Sequence, residues 1–277
     1  MSYKLRVLSL GAGVQSTALY LMAEEGLIEK FDFAIFADTG WERDATYKVV
    51  EDLKAKYNTP IITVDNGSVK DNILEARDKG SRFTVMPFHC ITGNNKGILR
   101  RQCTSEFKIL PIDKELRKLL GLKPYQRYTG EAIELCLGIS LDEAQRANMY
   151  KEHKIRTNSY PLVELKFNRN DCLEYLKQHE LDIQKSSCIG CPYHCNKEWH
   201  ALNAKEFTDA CEFDEKIRTS FKGTKLKADT LYLHNSLKPL SEVDLRTQEE
   251  KGQLRLFDYT KQELFKSITK RRVEWSR

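Results

Sequence analysis

The sequence predicts an α/β protein in which a parallel sheet is flanked by helices and followed by a helical C-terminal region that carries cysteines. Three apolar segments, at residues 5–8, 32–38 and 60–64, have the composition of buried strands and alternate with helical patterns. Such alternation is typical of βαβ units. Ligands of parallel sheets bind beyond the carboxyl ends of the strands. We therefore expect the segments that follow the first two strands to share one site.

The turn after the first strand has the composition of a phosphate-binding loop. It runs Ser9-Leu-Gly-Ala-Gly-Val-Gln-Ser-Thr17. Its glycines let backbone N–H groups approach an anion, and Ser16 and Thr17 add hydroxyl groups where the helix dipole favours negative charge. The loop lacks the lysine of a Walker A motif, and Ser16 replaces the third glycine of a dinucleotide motif. The alternative is a plain strand-to-helix turn.

The loop after the second strand begins with Asp38-Thr39-Gly40 and precedes a helical pattern from about Ala45 to Lys56. If it lies beside the first loop, its carboxylate and hydroxyl face the same ligand. The alternative is a turn that caps the helix.

A basic segment surrounds Cys103, and residues 93–97 before it are predicted to be a mobile loop. We expect its cations to form a phosphate-binding face for nucleic acid, and the alternative is a solvated helix face. The predicted nucleic-acid-binding residues are Arg100, Arg101, Lys108, Arg117 and Lys118.

A further strand at residues 134–139 contains Gly138 and leads into a helix with acids in its first turn. Asp142 can orient a metal ion or a ribose there, and Arg146 can bind a phosphate. The alternative is a capped helix with an i, i+4 ion pair between Asp142 and Arg146. Residues 160–165 are predicted to form another short strand.

Three cysteines lie close together at Cys188, Cys191 and Cys195. A C-x-x-C turn lets two thiolates reach one metal ion, and Gly190 permits the turn between them. Zinc and iron–sulfur clusters both accept such ligands, with His194 as an optional zinc ligand.

The composition indicates a globular protein. The chain has 277 residues, of which 40% are hydrophobic and 31% charged, and a net charge of +5 that permits an acidic partner such as nucleic acid. No segment approaches the ~18 apolar residues of a membrane span, and we see no secretion signal, so we expect a cytoplasmic protein without a membrane partner. Eight cysteines without a secretion signal indicate reduced thiols, metal ligands or redox chemistry rather than a disulfide framework. Four cysteines are predicted to be buried apolar residues: Cys90, Cys136, Cys172 and Cys211. Tyr193 and Trp199 are predicted to be core residues, and the alternative is that they are platforms on which bases stack.

Four separated segments together resemble the PP-loop ATP pyrophosphatase superfamily. Within it, they are similar to proteins of the phosphoadenosine phosphosulfate (PAPS) reductase and DNA phosphorothioation sulfurtransferase type, often encoded by bacteria and their phages. Gly11-Ala-Gly-Val-Gln-Ser16 resembles the PP loop, with Gln15 where Asp is usual. Asp38-Thr39-Gly40, Arg101-Gln-Cys-Thr104 and Gly138-Ile-Ser-Leu-Asp-Glu-Ala-Gln-Arg146 follow in the family's order, and the cysteine group ends it.

The resemblance implies an adenine nucleotide α-hydrolase-like fold. A PP-loop domain would occupy residues 1–165, and a helical region with a charged tail would occupy residues 166–277. The resemblance also implies that the site binds ATP and Mg²⁺, with catalytic roles for Ser16, Asp38, Asp142 and Arg146. The residues implied to surround the nucleotide are Ser9, Gly11, Ala12, Gly13, Gln15, Ser16, Thr17, Asp38, Thr39, Gly40 and Gly138.

Three functions are compatible with these motifs. In the first, the enzyme adenylates a nucleic acid (tRNA or DNA), releases pyrophosphate and transfers sulfur from a donor such as a cysteine desulfurase. The second is a PAPS or APS reductase that forms sulfite. Such enzymes usually carry a nucleophilic cysteine on a flexible C-terminal tail, and no cysteine follows Cys211, which favours the first function. The third is a non-enzymatic nucleotide-binding module with structural zinc. A homodimer is compatible with all three.

The resemblance further implies an iron–sulfur centre. Cys103 lies in a segment similar to one that supplies a cysteine beside the nucleotide in related iron–sulfur enzymes. It is therefore the predicted fourth ligand, with Cys188, Cys191 and Cys195. Four such cysteines favour a [4Fe–4S] cluster over Zn²⁺.

This ligand set predicts a brown protein with broad visible absorption after anaerobic purification. Cys188→Ser or Cys191→Ser should remove the colour because each deletes a thiolate ligand, whereas Cys211→Ser should retain it. The measurement is a visible spectrum with metal analysis. A colourless wild-type preparation with one zinc per chain would contradict the cluster.

Overall fold

The computed structural model describes residues 3–80, 84–123, 125–149, 154–219 and 228–246. Its strands are β1 (Arg6–Leu10), β2 (Phe33–Asp38), β3 (Ile61–Asp65), β4 (His89–Thr92), β5 (Asn95–Ile98), β6 (Ile133–Leu137), β7 (Arg156–Ser159) and β8 (Thr230–Tyr232). Its α-helices are α1 (Val14–Glu24), α2 (Asp44–Lys56), α3 (Val69–Lys79), α4 (Leu110–Leu119), α5 (Pro161–Glu164), α6 (Arg169–Gln178), α7 (Asn196–His200) and α8 (Ala204–Ile217). Shorter helical turns occupy Ser105–Ile109, Leu141–Met149 and Leu240–Glu242.

The main sheet has five parallel strands in the order β3–β2–β1–β6–β7. The chain builds outward from β1 to β3 and then returns to place β6 on the other side of β1. Loops that leave β1 and β6 therefore diverge at the sheet's carboxyl edge and open a crevice there. This arrangement confirms the predicted α/β fold. A small antiparallel sheet, β5–β4–β8, lies apart from it.

Two large apolar clusters join the early and late parts of the chain. In one, α1 packs against Cys172 and Leu176 of α6. In the other, Trp41 packs with Trp199 and Phe213. Described residues on both sides of the predicted boundary at residue 165 thus share these cores, and the two-domain division stays a prediction. Most of the predicted charged tail, residues 220–227 and 247–277, lies outside the described residues.

Two local predictions are wrong. Residues 160–165, predicted to be a strand, form α5 instead, because Pro161 has no N–H for a ladder but fits the first turn of a helix. Residues 93–97 are part of the β4–β5 hairpin, with Gly93 in the left-handed region at its turn (φ 56°). All four residues of β5 are exposed, so the segment has no apolar pattern that could have indicated a strand.

Among the described residues, no helix is both long and apolar enough to cross a membrane.

Candidate active site

A cavity of about 470 Å³ opens at the carboxyl edge of the main sheet, where the loops after β1, β2 and β6 meet. The predicted nucleotide-binding residues that line it are Ser9, Gly11, Gly13, Gln15, Ser16, Thr39 and Gly138. Thr17 is fully buried, and neither it nor Ala12 lines the cavity. The expectation that the first two loops share one site is consistent with this arrangement, which also brings in the loop after β6.

The phosphate-loop candidate is held in shape by its own serine. The Ser16 hydroxyl accepts a hydrogen bond from the Gly11 N–H (3.2 Å) and lies 3.3 Å from the Gly13 carbonyl, to which it donates. Ala12 has positive φ (49°), which turns the chain sharply before α1 begins. No side chain caps α1, and its first turn has no acidic residue. The N–H groups at the start of α1 are therefore available to an anion.

Gly138 fits tightly against this loop. A Cβ atom at residue 138 would lie 2.8 Å from the Ser16 nitrogen and 3.0 Å from the Ser16 Cα. On the opposite side, a Cβ atom at Gly13 would lie 2.6 Å from the Ser186 hydroxyl. The loop is thus enclosed between the end of β6 and the segment that precedes the cysteines.

Gln15 connects the loop to two groups that the sequence analysis did not identify. Its side-chain nitrogen donates to Glu143 Oε2 (3.3 Å), and its oxygen accepts from the Arg169 guanidinium (3.0 Å). An aspartate here could accept from Arg169 but could not donate to Glu143, and two carboxylates would repel each other. The amide therefore suits this pair of neighbours. Glu143 and Arg169 both line the cavity.

Asp142 and Arg146 do not pair with each other, so the alternative of an Asp142–Arg146 ion pair is wrong. Asp142 accepts from the Arg169 backbone N–H (3.0 Å) and fixes the start of α6, and a hydrogen bond from Ser140 lowers its pKa. It does not line the cavity. Arg146 does line the cavity, and its guanidinium lies 2.7 Å from Glu143 Oε2.

Asp38 does not line the cavity but stabilises the second loop through hydrogen bonds. Its carboxylate accepts hydrogen bonds from the Gly40 N–H and the Tyr47 hydroxyl, both at 2.8 Å. Burial, followed by this hydrogen bond, raises the pKa of Tyr47. Gly40 has φ 66° and packs on Ser68, where a Cβ atom would lie 2.7 Å from the Ser68 Cα. These contacts direct Thr39 into the cavity wall.

A buried carboxylate, Glu42, links Thr39 to a predicted nucleic-acid-binding residue and a predicted metal ligand. Its Oε1 accepts from the Thr39 hydroxyl (3.0 Å), the Lys108 ammonium (2.9 Å) and the Cys188 thiol (3.6 Å). Glu42 is 2% exposed. Burial alone would lower the pKa of Lys108. The adjacent Glu42 carboxylate outweighs this effect, so the pKa of Lys108 is raised. Lys108 is therefore a charged group of the cavity, held by Glu42.

Three of the four predicted metal ligands, Cys103, Cys188 and Cys191, line the same cavity. Burial, followed by the Glu42 carboxylate, raises the pKa of Cys188 well above its usual value, and burial also raises the pKa of Cys191. Both thiols are therefore protonated at neutral pH in this arrangement.

Cys195 lies apart from that cavity lining. It is exposed, and its backbone N–H donates to the Glu198 carboxylate (2.9 Å) at the start of α7. Binding of one metal centre by all four cysteines would require Cys195 to join the three thiols of the cavity lining and Cys188 to give up its contacts with Thr39 and Glu42. Within the described ranges, no three His, Cys, Asp or Glu residues are arranged to hold a metal ion. As placed, the four thiols do not fit a [4Fe–4S] cluster, in disagreement with the ligand set and the colour predicted from the sequence.

Only two of the five cations of the predicted phosphate-binding face line the cavity. Arg101 and Lys108 line the cavity, whereas Arg100, Arg117 and Lys118 do not. Arg117 donates to the carbonyl groups of the loop that follows α4, the shorter contact being 2.7 Å to Gln126, and Lys118 pairs with Glu115 at 2.8 Å. Sequence spacing could not separate the two groups, because even the adjacent residues Arg100 and Arg101 differ in whether they line the cavity.

The two aromatic residues of the cysteine segment differ in burial. Trp199 is fully buried, as predicted. The prediction for Tyr193 is wrong: its ring is 49% exposed and belongs to the cavity wall. Between them, His194 is buried and lies 2.7 Å from the Ser187 hydroxyl, and burial lowers its pKa to about 4.

The sequence of the chain matches a known protein family. Residues 6–186 match the family described as "Phosphoadenosine phosphosulfate reductase domain". The chain belongs to this family. The PAPS reductase family is part of the PP-loop superfamily, so the resemblance predicted from the four motifs is confirmed.

No curated protein matches the chain. Among solved structures, the chain is similar to the phosphate complex of PAPS reductase from Candida auris. The identity is 14%, the match covers 66% of this chain and 76% of that chain, and the TM-score is 0.42.

Proposed function

We propose that the protein binds ATP in this cavity, adenylates a nucleic acid and releases pyrophosphate. A hydrosulfide equivalent from a separate sulfur donor then bonds to the acceptor atom that carried the adenylated oxygen, and AMP leaves with that oxygen. Membership of the PAPS reductase family supports a nucleotide-binding enzyme of sulfur chemistry. The observation that carries the proposal is the shared cavity: a phosphate-loop candidate and three thiols line the same space of about 470 Å³.

In the first step an acceptor oxygen attacks the α-phosphorus of ATP. The bond between the α-phosphorus and the bridging oxygen breaks, and that oxygen leaves with the β- and γ-phosphates as pyrophosphate. The N–H groups at the start of α1 suit the charge of the leaving group, and the Arg146 and Arg169 side chains also line the cavity.

A magnesium ion fits this site through Glu143, the carboxylate that lines the cavity in the described part of the chain. Magnesium in nucleotide enzymes is often held by one or two carboxylates together with the substrate phosphates. When bound, the ion would neutralise phosphate charge. Gln15 and Arg146 both contact Glu143 Oε2, and they would hold this carboxylate at the cavity wall when the ion binds.

A sulfonucleotide reductase is the second candidate, and the family description itself favours it. Such an enzyme needs a thiolate that attacks the sulfur of PAPS or APS, which releases the nucleotide and leaves a cysteine S-sulfonate. A second thiol then releases sulfite and leaves a disulfide.

The two candidates differ in their products. We expect anaerobic protein to release pyrophosphate from ATP–Mg²⁺ when tRNA or DNA is present, and to form no sulfite from PAPS or APS with thioredoxin supplied. Pyrophosphate release and sulfite formation are measured on the same preparation, with and without a cysteine desulfurase.

Formation of sulfite at catalytic rates, without release of pyrophosphate, would contradict the adenylating function and identify a reductase. If neither product formed while ATP still raised the melting temperature, the non-enzymatic nucleotide-binding module would be favoured.

A further inference from the structure

We propose that Tyr193 and Arg101 form a stacking platform for an unpaired nucleobase of the acceptor. The inference deepens the proposed function, on which it rests, by assigning the part of the cavity that a single-stranded segment of nucleic acid would occupy. It concerns binding and involves no bond-forming step.

The placement of Tyr193 distinguishes it from other exposed apolar side chains. Isolated exposed apolar residues are ordinary on protein surfaces. Among the described residues, Tyr193 is the large exposed apolar side chain that lines the cavity. The others, outside its lining, are Leu27, Ile98, Leu110, Tyr125, Leu141 and Leu165.

The backbone around Tyr193 is fixed on both sides. Pro192 is buried, and its carbonyl oxygen lies 3.2 Å from His89 Nε2. His194 is buried, and its N–H donates to the Cys191 carbonyl (3.0 Å). The backbone of a residue between two anchored neighbours is fixed before a ligand arrives, which lowers the entropic cost of binding.

Arg101 completes the platform. Its guanidinium carbon lies 5.5 Å from the centre of the Tyr193 ring, within the range of a cation–π contact. Both side chains line the cavity and both residues are exposed. An exposed aromatic ring with an adjacent guanidinium binds bases of single-stranded nucleic acids through stacking, while the charge attracts the phosphate backbone.

The neighbours of the platform favour the acceptor over the base of ATP. Arg101 is two residues before Cys103, and Tyr193 is two residues after Cys191, so both parts of the platform adjoin thiols of the cavity. The phosphate-loop candidate is formed by the separate β1–α1 turn. A base on Tyr193 would therefore lie on the thiol wall, where sulfur must meet the acceptor.

The test uses the full-length protein and single-stranded DNA and RNA oligonucleotides that contain 2-aminopurine, whose fluorescence is quenched by stacking. We expect wild type and Tyr193→Phe to bind and quench the fluorophore. Tyr193→Leu should bind roughly 5- to 150-fold more weakly, the range expected for loss of one stacked base, and should lose the quenching. Tyr125→Leu is the matched control, because it removes a fully exposed tyrosine that does not line the cavity.

A second measurement separates this inference from the proposed enzyme activity. The ATP-induced rise in melting temperature should be the same in wild type and Tyr193→Leu. A smaller ATP effect in Tyr193→Leu would assign the ring to the nucleotide's base and overturn the inference. Unchanged oligonucleotide binding in Tyr193→Leu would overturn it too. If wild type bound no oligonucleotide yet released pyrophosphate with a small acceptor, the platform would be disproved and the adenylating activity retained.

Discussion

Gly190→Ala is expected to lower the free energy of unfolding by about 3 kcal/mol, the upper part of the range for overpacked cores. A Cβ atom at residue 190 would lie 2.0 Å from Cη2 and 2.4 Å from Cζ3 of Trp41. At this chain length the loss corresponds to a fall of roughly 6–12 °C in melting temperature. Thermal and denaturant unfolding, followed by far-UV circular dichroism, measure the change.

The indole of Trp41 has little room to move aside. It is 4% exposed, its N–H donates to Asp209 (2.6 Å), and its ring centre lies 4.6 Å from that of Phe213. Gly190 itself is buried between the cysteines of the C-x-x-C turn. The added methyl group must therefore displace either this turn or the apolar cluster around Trp41.

A double-mutant cycle supplies the control. Trp41→Phe removes the atoms that the new methyl group would meet, so Gly190→Ala should cost much less in that background. Gly97→Ala should cost little in either background, because its Cβ atom would make an ordinary 3.6 Å contact with the Cys90 sulfur. Equal costs of Gly190→Ala in both backgrounds would refute the steric explanation.

The close contact between Gly190 and Trp41 gives the glycine a role that its sequence did not reveal. In the sequence, a glycine between two cysteines indicated a turn that lets both thiolates reach one metal ion. In the structure, the same glycine permits the cysteine segment to pair with the chain after β2, where Ile189 N–H donates to the Trp41 carbonyl (2.9 Å). The sequence could predict the turn but not its partner, since that contact joins residues about 150 positions apart.

Local sequence also limits which strands and helices could be predicted. Strands β1 and β2 are largely buried and β3 begins with two isoleucines, so the apolar composition of these strands predicts them. Strand β5 is exposed on every residue and has no such pattern. The α5 helix begins at Pro161, a residue that is compatible with a helix start as well as with a turn.

Within the site, local motifs predicted the loops but not the partners that tertiary structure supplies. Ser16, Thr39 and Gly138 line one cavity because each follows a strand of the same sheet edge. Glu42 carries no motif, and its role appears only where Lys108 and Cys188 meet its carboxylate. Tyr193 was predicted to be a core residue rather than a stacking platform, and its exposure in the cavity wall depends on tertiary structure that no local motif encodes.

Gly138→Ala is expected to abolish most of the stabilisation of the protein by ATP. The new methyl group would lie 2.8 Å from the Ser16 nitrogen and 3.2 Å from the Gln15 carbonyl carbon, which are backbone atoms at the start of α1. The loop must shift to admit it, and a displacement of about 1 Å in a binding site can cost ~100-fold. If ATP at 100 times its Kd stabilises wild type by about 2.7 kcal/mol, a 100-fold weaker Kd leaves about 0.4 kcal/mol at the same concentration.

The measurement is the melting temperature with and without ATP–Mg²⁺, because the difference separates nucleotide binding from any loss of stability in the free protein. Gly97→Ala, whose added methyl group meets no backbone atom within 4 Å, should keep the full ATP effect. Gly138→Ala should also reduce pyrophosphate release, since the N–H groups that suit the leaving group move with the loop. A full ATP effect in Gly138→Ala would show that phosphates do not bind against Ser16 and the start of α1, and the nucleotide would then have to occupy another part of the cavity.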